Sequence, residues 1–269
     1  MHFGGMSDPF QPCEAEYKRT LKALDVFAKT QYPVIISTKG RLCVERPWID
    51  YLARMNVVMQ ISAVCEKYDE LEPGAPPFEE RLDMVKRLSP VVKRVIIRAQ
   101  PYVHDVLEDC LINIPRFKEA GAYGIIFEGM KFVRKKPGLI KLGGDYVQKK
   151  EVLQQDFERL KQACHKSGLK FYSGENRLRA MGDSLTCCGI DDLDGFRPNT
   201  YNLSHAVNGD FTNPTEAQRK PGTAMCFGSL FQNTAGHKLC KKHSFESMMK
   251  WYFENRNELV NNVLRGEKL

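Results

Sequence analysis

The chain lacks any apolar run long enough to cross a membrane as a helix, a task that takes about 20 such residues. Its opening, Met1 to Pro9, has neither a basic segment nor an apolar stretch behind it, so it does not read as a secretory signal. Internal repeats and low-complexity tracts are missing, which excludes a solenoid or a mainly disordered chain. The cysteines form no paired C-x2-C spacing, so the usual zinc-finger pattern is absent. What is present is ordinary globular composition: 269 residues, 42% hydrophobic and 27% charged. That suffices for one large α/β domain, or one domain with an appendage. No membrane partner is expected, and the cytoplasm is the expected compartment. In that reducing setting the nine cysteines are expected as thiols rather than disulfides. Cys110 shares a helical apolar phase with Leu107, Leu111 and Ile114 and reads as a core side chain.

The net charge of +7 is partly local. Between residues 131 and 150, Lys131, Arg134, Lys135, Lys136, Lys141, Lys149 and Lys150 face Asp145 alone. Two readings stand. One is a solvated loop; the other is a surface for phosphate or a nucleic-acid backbone. Phe132 and Tyr146 are its only aromatics, a sparse set for base stacking.

Short β-branched runs alternate with amphipathic helical patterns. Phe3-Gly4-Gly5 ends a first strand, and Tyr17, Leu21, Leu24 and Phe27 mark a helix face. Strands are expected at 34–37, 57–64, 95–97, 123–127 and 169–172. Helices are expected at 48–54, from Pro76-Pro77 onward with Phe78, Leu82, Val85 and Leu88 in register, at 105–120, and at 152–164. Continuous apolar strands alternating with helices imply a parallel sheet, open or closed into a barrel. Functional groups of such folds gather where the strands end. That rule selects Gly4 to Asp8, Ser37 to Lys39, Ser62 to Glu66, Arg98 to Gln100 and Glu128 to Lys131. After Glu175 periodicity fails, and a closing helix is expected over about 245–264.

Phe3-Gly4-Gly5-Met6-Ser7-Asp8-Pro9-Phe10-Gln11-Pro12 resembles the second-strand segment of radical S-adenosylmethionine (SAM) proteins. Ser37-Thr38-Lys39 resembles the third-strand Thr-Lys pair of the spore-photoproduct-lyase-like group. Gln60-Ile61-Ser62 is similar to its fourth-strand region. Leu71 to Leu82 is similar to its Glu-Pro-Gly segment and following helix, and Ile97-Arg98-Ala99-Gln100-Pro101-Tyr102 to its fifth-strand proline turn. The resemblance covers residues 1 to about 130 and implies a partial (β/α)6 TIM-like barrel of parallel strands over 1–181. A cysteine-containing, loop-rich extension over 182–269 would follow. It implies SAM as ligand and a 4Fe–4S cluster as cofactor, for radical chemistry on an unidentified substrate. By that likeness Gly4 and Gly5 receive the SAM amino group, Lys39 pairs with its carboxylate, and Ser7 and Ser62 bond its methionine or ribose. Met6, Asp8, Ser37, Arg98 and Gln100 complete the expected cofactor-binding set. On the residues alone, the alternatives are an exposed loop lysine at Lys39 and a buried strand serine bonded to backbone at Ser62.

Two departures qualify the likeness. Radical SAM enzymes hold their cluster in a C-x3-C-x2-C loop, and no such spacing occurs here. The expectation is a chain lacking that segment, completed by an N-terminal partner fragment if it acts as an enzyme. The position of the group's hydrogen-donor cysteine is Gly5, which disfavours repair of the spore photoproduct. Cys187, Cys188, Cys226 and Cys240, with His205, His237 and His243 around them, are candidates for an auxiliary Fe–S cluster or zinc. Buried free thiols are the alternative. A non-catalytic remnant or partner subunit is the competing function, and a nucleic-acid-binding protein using the 131–150 stretch is a third.

Overall fold

The computed structural model describes residues 2–5, 7–184, 186, 188–193 and 196. They fall in two compact units. One is His2–Lys29 with Val34–Gly189; the other takes in residues 30–33 and the described residues from 190 onward. In the smaller unit, Leu193 N–H donates to Ile190 O and Phe196 N–H to Leu193 O.

The larger unit opens with β1 (His2–Phe3), followed by the short α1 (Glu14–Tyr17) and α2 (Arg19–Thr30). Lys18 takes a left-handed conformation between the two helices (φ 52°). Tyr17 therefore drops out of the expected stripe and is exposed, while Leu24 is buried. β2 (Val34–Thr38), α3 (Trp48–Leu52), β3 (Val57–Ser62), α4 (Tyr68–Leu71), α5 (Phe78–Leu88) and β4 (Arg94–Tyr102) follow. Then come α6 (Leu107–Glu119), β5 (Gly124–Gly129), β6 (Lys131–Phe132), β7 (Leu139–Leu142), β8 (Asp145–Gln148), α7 (Lys150–Lys166) and β9 (Lys170–Ser173). Among the described residues no helix is long and apolar enough to cross a membrane.

Six strands form one parallel sheet in the order β1-β2-β3-β4-β5-β9. Crossovers between parallel strands are right-handed, so a strictly sequential order places successive helices on the same face. The contacts agree. Phe27 of α2 meets Phe3 at 6.2 Å, and Phe157 of α7 packs on Phe127 and Phe171. The sheet is thus wound once, as in a TIM-like barrel, but it stays open between β1 and β9. The expected α/β architecture of parallel strands is the observed one.

Side chains alternate along a strand, and the register sorts them into two sets. The helix face carries Val34, Ile36, Val57, Met59, Ile61, Val95, Ile97, Ile125, Phe127 and Phe171, all buried. Tyr102, Phe127, Phe157 and Phe171 form its aromatic centre, with ring centroids 5.6–6.2 Å apart. Each such ring contributes about 1.5–3 kcal/mol through burial. The opposite, inner face carries His2, Ser37, Gln60, Ser62, Arg98 and Glu128 toward the strand ends.

Two elements differ from the sequence reading. β4 does not stop before Pro101; it crosses the cis Gln100–Pro101 peptide with a register shift and re-pairs Tyr102 with Gly129. Proline offers no N–H to the ladder, which is why the shift falls there. Residues 131–148 are not a bare loop but an antiparallel sheet in the order β6-β8-β7. Gly143, at φ 61°, turns β7 into β8. A two-residue Gly-Gly loop suits the right-handed strand twist.

Candidate functional site

The candidate rim lies at the C-terminal ends of the parallel strands, and it begins with a backbone contact. Gly4 has φ +90°, and a Cβ there would sit 2.2 Å from the Ser37 carbonyl oxygen. Only glycine allows that approach. Asp8 then locks the turn onto β2. Its Oδ1 accepts from Phe10 N–H (2.8 Å) and Thr38 Oγ1 (2.6 Å), and its Oδ2 from Lys39 N–H (2.6 Å). Asp8 therefore positions the loop. Gly5 is open, with no atom near its missing Cβ, and Ser7 is exposed. Met6 lies outside the described residues.

Below this loop a polar network crosses three strands. Ser37 Oγ donates to Gln60 Oε1 (2.7 Å) and accepts from Arg98 Nη1 (3.0 Å). His2 Nε2 stands 2.7 Å from the same oxygen. The hydroxyl proton is committed to Gln60, so His2 is assigned as the Nε2–H donor. Gln60 Nε2 in turn donates to Cys188 O (3.1 Å), and Arg94 Nη1 to Gly189 O (3.2 Å). These two bonds hold the 188–189 backbone on the inner face. His2 keeps exposed surface, yet desolvation of its ring, helped by the nearby Arg98 charge, pushes its pKa down to about 4. The imidazole is neutral at pH 7, consistent with a donor to Ser37. Among the described residues the other Arg98 guanidinium nitrogens have no partner. Ser62 stands opposite Arg98 in the ladder.

Lys39 does not reach into this network. Its ammonium pairs with Glu72, whose other carboxylate oxygen lies 2.9 Å from Arg81 Nη2. The Arg81 side chain is 2% exposed. Its Nε donates to Pro76 O (2.6 Å) and its Nη1 to Ser62 O (3.1 Å). The Glu-Pro-Gly segment thus ties the end of β3 to α5. Gln100 is half-buried beside the cis peptide.

The far side of the rim is also braced. Arg177 Nε donates to Glu175 Oε1 (2.9 Å) and its Nη1 to Gln148 O (3.1 Å), joining the end of β9 to β8. Burial alone would raise the Glu175 pKa, but Arg177 outweighs it and holds the carboxyl below its usual range. Tyr102 Oη donates to Asp156 (2.8 Å), and His104 Nδ1 stands 2.9 Å from the same carboxylate.

The thiols behave as core side chains. Burial pushes Cys43, Cys110 and Cys164 far up, and Cys65 up as well, and all four are buried in the core. Among the described residues no three His, Cys, Asp or Glu side chains gather as a metal group. An iron–sulfur cluster does not fit the described donor set. Cys187, Cys226 and Cys240 lie outside the described residues; Cys188 is half-buried.

The structure therefore brings Gly4, Asp8, Ser37, Ser62 and Arg98 to one rim and directs Lys39 to Glu72. Sequence reasoning assigned no role to His2, Gln60, Glu72 or Arg81. A signal existed for one of them: Gln60 interrupts an apolar strand in the alternation phase of Ser62.

These features define an open, singly wound parallel α/β sheet whose inner face is polar toward the strand ends. No known protein family matches the sequence, and no curated protein matches it. Among solved structures, a point mutant of spore photoproduct lyase is similar at 16% identity and a TM-score of 0.45, over 57% of this chain and 54% of that one. The chain spans about half the length of that structure.

Proposed function

We propose that this chain is a radical SAM-like half-barrel whose inner rim binds SAM. The observation that carries the reading is Arg98: one nitrogen is fixed by Ser37, and the rest are open among the described residues. A SAM carboxylate requires such a cation, and its ammonium requires backbone carbonyls. The loop at Gly4 brings backbone against the rim beside Ser37. The segments that carry the family likeness all end at this rim or tie into it through Glu72 and Arg81. Lys39 serves a ligand carboxylate only by leaving Glu72; Arg98 requires no such exchange. The described thiols do not fit the cluster, so radical chemistry is assigned no step here.

The test is calorimetric titration of the full chain with SAM. Saturable binding is expected, weakened about 10- to 100-fold in Arg98→Ala, since a hydrogen bond to a charged group is worth about 1.5–3 kcal/mol. Absence of binding by the folded chain overturns the reading. A second reading is a non-catalytic subunit using the same rim; among the described residues no three His, Cys, Asp or Glu side chains gather to hold a cluster. SAM binding without 5′-deoxyadenosine formation, after reconstitution with iron and sulfide, selects it.

A further inference from the structure

We propose that the outer edge of β7 is a docking strand for an extended peptide that alternates apolar and acidic residues. Among the described residues β7 pairs with β8 alone. Ladder bonds alternate along an antiparallel strand, and the two-residue loop closes on the bonded pair Leu142–Asp145. The Lys141 N–H and C=O consequently point away from β8. The other outward amide, Leu139 N–H, is satisfied by Lys136 O (3.2 Å). Lys141 thus offers the open donor and acceptor that strand addition uses.

The side chains state the partner's chemistry. Ile140 and Leu142 point to one face and are 38% and 49% exposed. Lys141 points to the other. An added strand meets apolar groups on one face and a cation on the other, and cross-strand pairing rewards the complement. Arg134, Lys135 and Lys136 lead into β7 and extend the demand for acid. A second copy of β7 would set like charges together. A phosphate backbone offers nothing to Ile140 and Leu142, and Phe132 already carries Lys136 over its ring at 4.7 Å.

The experiment is fluorescence anisotropy of the full chain with a labelled peptide alternating valine and glutamate. The controls are the same peptide with alternate amides N-methylated and an oligothymidylate of equal charge. Saturable binding is expected, about tenfold weaker for the N-methylated peptide, and weaker again in the exposed variant Lys141→Glu. N-methylation leaves the protein untouched, so folding of a variant does not enter that arm. Equal binding of the N-methylated peptide, tighter binding of the oligothymidylate, or no binding by the folded chain each overturns the proposal.

Discussion

The helix face and the inner face of the parallel sheet are made by the same strands, one residue apart. On the helix face, Val, Ile, Met and Phe side chains are buried, with α5 and α7 packed on the strands, without a hydrogen bond among them. On the inner face, Ser37, Gln60 and Arg98 are chained by hydrogen bonds of 2.7 and 3.0 Å. The first set gains by excluding water and tolerates no void. The second holds polar atoms near the strand ends, chained to one another while part of the Arg98 guanidinium stays open among the described residues. The two sets are therefore separated by the two-residue period of the strand rather than by position along the chain.

The comparison breaks if losses on the two faces are alike. The largest expected effect is on the helix face. Phe157→Ala empties the centre of the aromatic group and is expected to cost about 4 kcal/mol in chemical denaturation. Next is Arg81→Met, expected to cost about 3 kcal/mol, because it strands Glu72 beside a buried gap and frees the Ser62 and Pro76 carbonyls. Arg98→Ala is expected to cost under about 1 kcal/mol in the same assay while it weakens SAM binding. A loss of several kcal/mol there would make the inner face structural.

The smallest effect sharpens the network at Ser37. His2 titrates near 4 when folded and near 6.5 as an isolated histidine. The unfolded chain binds the extra proton first, so the stability tied to neutral His2 is present above about 6.5 and lost as pH falls through about 4. Thermal melts across that window are expected to slope more steeply for the native chain than for His2→Gln. Parallel slopes would show that the Ser37 contact does not hold the neutral imidazole.

Much of the fold was legible because apolar runs and turn residues are local signals. Val34 to Ser37, Val95 to Ile97 and the Pro76-Pro77 helix start announce themselves within a few residues. The hairpin at 139–148 was not legible, since each arm has only four residues and only the Gly143-Gly144 pair marks the turn. At the rim, the strand-end rule selected Gly4, Ser37, Ser62 and Arg98. It missed Arg81, which sits on a helix and acts through carbonyls contributed by distant segments.

The sequence by itself determined the alternation of strands and helices, the glycine turn against β2 and the placement of polar residues where strands end. These depend on backbone sterics and on burial, which each stretch of chain expresses locally. Only the tertiary structure decided which cation faces the inner rim. Lys39 and Arg98 both follow apolar strands, but register sends Arg98 to Ser37, while the linker before α5 brings Glu72 to Lys39. A charge is assigned by its nearest partner in space, and that partner lies 61 residues away for Arg98 and 33 for Lys39.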